Sequence, residues 1–316
     1  MIKFVMLRLL MAIPVILGVT IIVFAIIRLT PGDVARMVLG QTATDEQVAV
    51  FREQYGLDKP FPVQLYVYLK GIVTRGDLGT SYMTNNPVAQ EVFSRLPTTF
   101  LLAIMSVFLA VMIGVPAGVL SATRQYSAFD NVVTFFCLLG VSMPSFWLGL
   151  VMIVTFSLHF RWFPVSGFSS PQHWVLPVVT IGMMCVANIM RTTRSSMLEV
   201  IRQDYICTAR AKGHKERTII YKHALKNALI PVVTVIGLQF GRQLGGTVVI
   251  ESIFAIPGLG RLLIDAIGMK DLPIVQGGVL LLAVAFSLIN LFVDIIYGFV
   301  DPRIRSQYER SAKETV

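Results

Sequence analysis

Four histidines, His159, His173, His214 and His223, are the first residues to test for chemistry. They are scattered, no His-Glu-x-x-His pair of metal ligands occurs, and no Ser/His/Asp set can be argued. Cys137, Cys185 and Cys207 form no CxxC or CxxxC pair, which removes the usual zinc and disulfide readings. The sequence lacks Gly-x-x-x-x-Gly-Lys-Ser/Thr, the loop whose backbone amides cradle nucleotide phosphates, so the chain does not hydrolyse ATP itself. Charged and small residues in apolar surroundings remain. Arg242 interrupts a hydrophobic run, and a cation in lipid costs at least about 2.5 kcal/mol, so it should face a cavity or a partner. Asp294 and Asn290 lie four apart on one helical face. A single carboxylate with no second intramembrane acid or His makes a poor proton relay, which favours a structural hydrogen-bonding role. Gly237, Gly241 and Gly245, followed by Gly246, form a small-xxx-small row that lets helices approach closely.

The elements that must position these residues are membrane spans. Of 316 residues, 55 % are hydrophobic and 14 % charged, against roughly 25 % charged in a soluble domain. Mean hydropathy is +0.71. A single soluble core could not hide this much apolar side chain, and disorder is excluded with it. Runs of about 20 apolar residues recur at Leu9–Ile27, within Leu96–Thr123, at Asn131–Leu158, at Trp174–Met190, at Ala228–Ile250 and at Pro273–Val300. The fold class is therefore all-α, a polytopic membrane protein with six transmembrane helices and both termini on one side. The first run is long for a signal peptide and has no small-x-small cleavage site before Arg28, so it reads as a retained span. Pro144 and Pro177 are expected to kink the third and fourth spans.

Lys and Arg set the orientation. With both termini cytoplasmic, the inner segments hold sixteen of them, nine between Arg191 and Lys226 alone, and the two short outer loops hold three, Arg161, Arg261 and Lys270. The net charge of +9 then lies mostly against the anionic inner leaflet, and nucleic acid is not needed to explain it. The chain divides into residues 1–28, the N-terminus and first span; 29–95, a long outer segment; and 96–316, a five-helix core. That core carries a cytoplasmic loop at 191–226 and a cytoplasmic tail at 301–316.

Within the outer segment, Thr44 and Gln47 have capping-box spacing for a helix over Asp45–Tyr55. A second helical pattern over Val63–Val73 places Leu65, Tyr66, Leu69 and Ile72 along one face. The segment is read either as a packed cap on the bundle or as a docking surface for an extracytoplasmic partner. In the inner loop, Ser196 and Glu199 also have capping-box spacing. Ala209 and Ala211 suit a helix that closely approaches another surface, Gly213 can end it in the left-handed conformation, and a further helix over Thr218–Leu229 runs into the fifth span.

Thr208-Ala209-Arg210-Ala211-Lys212-Gly213 and His223-Ala224-Leu225-Lys226-Asn227-Ala228-Leu229-Ile230-Pro231 resemble the cytoplasmic coupling motif of ABC importer permeases. The general form is Glu-Ala-Ala, three residues, Gly, nine residues, Ile-x-Leu-Pro. Here Cys207 and Thr208 stand at the Glu and first Ala positions, and His223 and Lys226 at the Ile and Pro positions. Apart from Cys207, where a polar residue is expected, these departures are those of the dipeptide/oligopeptide/nickel branch. Further matches are Leu29-Thr30-Pro31-Gly32-Asp33, Gly56-Leu57-Asp58-Lys59-Pro60, Gly76-Asp77-Leu78-Gly79, Ser142-Met143-Pro144, Phe254 with Pro257-Gly258-Leu259-Gly260-Arg261, Asp271-Leu272-Pro273 and Asp301-Pro302-Arg303-Ile304-Arg305.

The resemblance implies one permease subunit of a binding-protein-dependent importer in a bacterial cytoplasmic membrane. Its partners would be a second, homologous permease, one or two cytoplasmic ATPases that use ATP and Mg, an extracytoplasmic substrate-binding protein and the lipid membrane. The chain itself would carry no cofactor and no metal. The expected cargo is a dipeptide, short oligopeptide or glutathione-like peptide, with a nickel chelate or opine as the alternative. An ion-coupled secondary transporter is the rival of another class; it calls for intramembrane acid pairs and internal repeats, which the sequence lacks. The coupling residues would be Asp204, Tyr205, Thr208, Ala209, Arg210, Ala211, Gly213, His223, Ala224, Leu225, Asn227 and Pro231. Gln239, Gly241, Arg242 and Gly245 would lie on the translocation pathway. For Arg242 two readings stand: it holds the carboxylate of a passing solute, or it pairs with the second permease or snorkels to the outer interface.

Overall fold

A computed structural model describes residues 2–29, 33–40 and 42–300. The segments Thr30-Pro31-Gly32 and 301–316, with the Asp301–Arg305 match, lie outside the described residues. Among those described the chain is helical throughout, without strands. Five helices are long and apolar enough to cross a membrane: α1 (Ile2–Leu29), α5 (Val88–Thr123), α8 (Pro171–Ile201), α11 (Leu225–Ile253) and α13 (Leu272–Val300). The sixth expected span is broken. Its halves, α6 (Ala128–Ser142) and α7 (Ser145–Met152, continued as a π-helical stretch to His159), meet at 107° beside Pro144. Pro144 lacks an amide hydrogen, and Met143 before it takes the extended conformation that a following proline favours, so the helix ends there. Pro177, by contrast, lies inside an unbroken α8.

Two spans are longer than the apolar runs suggested. At 1.5 Å per residue, the 36 residues of α5 extend about 54 Å, well beyond a hydrocarbon core of about 30 Å. The fourth span runs on from Met190 to Ile201, so Ser196 caps nothing. It is buried in mid-helix, and its hydroxyl donates to the Ala228 carbonyl at 2.9 Å. The α5–α8 pair forms the centre of the bundle, and its helices approach closely. A Cβ on Gly118 would meet Thr193 Cβ at 2.6 Å and the Met190 carbonyl oxygen at 2.7 Å. α11 packs on this pair, and α13 packs on α11 and α1.

Four of the shorter helices gather at one end. α2 (Val34–Leu39), α3 (Asp45–Gln54) and α4 (Phe61–Arg75) precede α5, and α12 (Leu259–Met269) stands between α11 and α13. The Thr44–Gln47 capping box is present, and Val48 and Phe51 of α3 pack against Ala35. On α4 the inward face carries Leu65, Tyr68, Leu69 and Ile72; Tyr66 points outward, since a helix turns 100° per residue and Tyr68 falls nearer that stripe. Asp271 clasps this end to the bundle. It is buried, accepts from the Ser81 hydroxyl, and accepts from the Tyr82 amide at 3.1 Å.

Candidate coupling surface and translocation face

At the opposite end, α8 leads through Arg202 and Gln203 into α9 (Asp204–Ala211). Gly213 then turns the chain at φ +78° into α10 (Glu216–Thr218), a π-helical stretch Ile219–Ala224, and α11. Ile206 and Ala209 of α9 are buried among Val119 and Ala122 of α5, Met197 of α8, Ile219 and Ala224 of the π stretch, and Ala228 of α11. Leu225 packs against the same cluster. α9 is thus wedged among three spans. Ala209 owes its small side chain to this internal seat, whereas Ala211 is exposed.

Two polar contacts hold α9 from its sides. The Asn227 amide donates to the Tyr205 hydroxyl at 2.7 Å, and Arg210 Nε donates to Glu216 Oε1 at 2.7 Å across the Gly213 turn. Glu216 pushes the Arg210 pKa up against the opposing effect of partial burial, so the guanidinium stays charged. Asp204, Thr208 and Ala211 fall at i, i+4 and i+7 and present one exposed face. His223 is half-buried with its ring 5.6 Å from that of His214, and Pro231 is exposed on α11. No trio of potential metal-binding side chains occurs among the described residues.

A polar clamp that the sequence reading did not anticipate braces this seat. Asp130, buried near the start of α6, receives two bonds from Arg194 of α8: Nε to Oδ1 at 2.8 Å and Nη2 to Oδ2 at 2.9 Å. Ser121 of α5 also donates to it, as does the Tyr126 amide at 2.9 Å. In the sequence, Asp130 only precedes the Asn131–Leu158 run, and Arg194 is one of the nine basic residues between Arg191 and Lys226. Their 64-residue separation left no local signal of pairing.

The four pathway candidates on α11 divide. Gln239 and Gly241 are buried inside the subunit, and a Cβ on Gly241 would lie 3.3 Å from Phe286 of α13. Gly237 is tighter still, 2.3 Å from Val293. Arg242 and Gly245 are exposed; Gly245 continues the Gly237–Gly241 row about one turn further along α11, but nothing lies within 4 Å of a Cβ there. Asp294 of α13 makes an ion pair with Arg8 of α1 at 3.2 Å, so its partner is a charge on another span.

At the α12 end, the Pro257–Arg261 loop wraps a buried carboxylate. Glu251 accepts from Thr99 at 2.7 Å and from the Arg261 amide at 3.1 Å, at the N-terminus of α12 where the helix dipole favours negative charge. A Cβ on Gly258 would meet Glu251 Oε2 at 2.3 Å, and one on Gly260 would meet Val248 Cα at 2.5 Å. These contacts account for both glycines.

The described residues form an all-helical bundle of membrane-length spans with a compact projection at one end. The chain belongs to the family described as binding-protein-dependent transport system inner membrane component, whose model matches residues 114–306. A companion model for the N-terminal region of such components matches residues 1–103. The chain is 44 % identical to the dipeptide transport system permease protein DppB of Alkalihalophilus pseudofirmus over 333 aligned positions, covering 96 % of this chain and all of that one. It is 43 % identical to the glutathione transport system permease protein GsiC of Salmonella choleraesuis over 305 positions, 96 % of this chain and 99 % of the other. Among solved structures, an inward-facing MetNI methionine ABC transporter chain superposes with a TM-score of 0.55 at 21 % identity, covering 67 % of this chain and 97 % of that one. At that identity the likeness shows the fold alone. The protein is an inner-membrane ABC permease subunit and not an enzyme; in this family ATP hydrolysis lies with separate subunits.

Proposed function

We propose that this chain forms half of the translocation pathway of an ATP-driven importer, pairing with a second, homologous permease across the face of α11 that carries Arg242 and Gly245. One or two ATPases dock on α9 from the cytoplasm, with both termini on that side, and a substrate-binding protein delivers cargo to the opposite end. The cargo class is a dipeptide, short peptide or glutathione-like peptide, in keeping with what the two named relatives transport.

The observation that carries this reading is the seat of α9. Its inner face is locked onto α5, α8 and α11, while Asp204, Thr208 and Ala211 are left free for another protein. A push on that face is transmitted to three spans at once, as alternation between outward-open and inward-open states requires. The test is affinity purification from native membranes, followed by identification of the bound polypeptides. A second permease and an ATPase should be recovered, and Thr208→Glu with Ala211→Arg should strip the ATPase while leaving the permease pair. Recovery of the chain alone, still active in proton-dependent uptake without ATP, would overturn the reading.

A further inference from the structure

α6 is held to the bundle at two points. Of its 15 residues only Asp130 and Gly140 are buried, and none belongs to the cluster that seats α9. Gly140 rests on the backbone of α8, where a Cβ would lie 3.6 Å from the Met183 carbonyl oxygen. Between the two points a groove of about 440 Å³ opens, lined by Thr134, Cys137 and Leu138 of α6 and Ala187, Met190 and Arg191 of α8. Side chains that do not interlock offer little resistance to sliding or rotation of one helix on the other. That resistance must come from the Asp130 end.

A carboxylate gripped by both prongs of a guanidinium fixes rotation as well as distance. Ser121 adds a tie to α5, donating to Asp130 and accepting from Arg194 Nε at 3.0 Å. The pair adjoins the α9 seat through both helices. Met197, three residues and about 4.5 Å along α8 from Arg194, belongs to that seat, and so do Val119 and Ala122 on either side of Ser121 in α5. At its other end α6 runs into the Pro144 break, beyond which α7 packs on α8 and α11.

We propose that the Asp130–Arg194 pair is a positioning element of the transport cycle, the pin through which movement of the α9 seat turns α6 and with it the broken span. This rests on the reading of α9 as the element on which an ATPase docks. The test uses the whole transporter in proteoliposomes with its binding protein, taking dialanine and glutathione as probes, and reads ATP hydrolysed per solute taken up. Asp130→Asn, nearly isosteric, should leave hydrolysis within about twofold and lower uptake about tenfold, raising the ratio. Arg194→Lys, which keeps the charge and loses the fork, should raise it about threefold. Glu251→Gln, at the other end of the bundle, should leave the ratio at the wild-type value, since a purely structural loss lowers both rates together. Proportional losses in both clamp variants, or an equal rise in Glu251→Gln, would overturn the proposal. A wild-type complex without an ATPase would overturn the reading on which it rests. If Asp130→Asn does not assemble, Arg194→Lys decides it. If wild type takes up neither probe, spin labels at the exposed Phe136 and Glu199, with the three cysteines replaced by serine, decide it. Their separation should stay fixed between nucleotide-free and vanadate-trapped states in wild type and change in Asp130→Asn; the same behaviour in both would sink the proposal.

Discussion

The two ends of the bundle each close around a buried carboxylate, and they satisfy it differently. At the α9 end Asp130 is matched by a full cation, Arg194, in a two-pronged pair that ties α6 to α8 and, through Ser121, to α5. At the α12 end Glu251 makes no ion pair among the described residues; it is held by the Thr99 hydroxyl and the Arg261 amide at a helix start. A side-chain ion pair joins helices that are remote in sequence and holds them as one block. Backbone donors shape a local loop around a single residue. The first arrangement suits the end where we propose that force is relayed across spans, and the second suits the end where a short helix is fixed in place.

The contrast breaks most readily at Asp130. Asp130→Ala strands Arg194 in a partly buried site and should destabilise the subunit by about 3–5 kcal/mol. Thermal unfolding of the purified transporter measures this, and Asp130→Ala combined with Arg194→Ala should recover part of the loss. A double variant no better than the single ones would show that the charge pairing is not what holds this end. Glu251→Gln should cost less, about 1–3 kcal/mol, because one oxygen still accepts while the new amide faces the Arg261 amide. Equal losses at the two sites would erase the distinction.

The glycine row sharpens a related contrast within α11. Gly237→Ala drives a methyl into Val293 and should cost about 1–3 kcal/mol of subunit stability. Gly245→Leu meets open space and should leave subunit stability within about 0.5 kcal/mol, while reducing recovery of the second permease on co-purification. At the α9 seat, Tyr205→Phe removes the bond from Asn227 and should cost about 1 kcal/mol, seen as weaker substrate-stimulated ATP hydrolysis in the assembled transporter. Arg242→Gln should have the smallest effect on stability of all, lowering uptake without loss of assembly. Normal uptake by that variant would remove Arg242 from the pathway.

Much of this was legible before any fold. Runs of apolar residues gave the spans, because a bilayer demands about 20 such residues in sequence and leaves no other way to hide them. Pro144 announced a disturbance, though not a 107° break, since the angle depends on what α6 and α7 pack against. Ser196 misled because capping-box spacing is short-ranged and says nothing about a helix already in progress. The glycine row showed that α11 is approached closely, but not on which side. Only Val293 and Phe286 on α13 decide that Gly237 and Gly241 face inward while Gly245 stays open.

By itself, then, the sequence determined the solvent this protein lives in, five membrane-length helices, and the segment that turns at Gly213, all set by local composition, spacing and backbone freedom. Tertiary structure alone decided which polar groups meet. Asp130 with Arg194, Arg8 with Asp294, and Asp271 with Ser81 are pairs separated by 64, 286 and 190 residues. Long-range pairings of this kind leave no periodicity in a single chain, and only the packing of helices, which fixes depth and rotation together, brings them within reach.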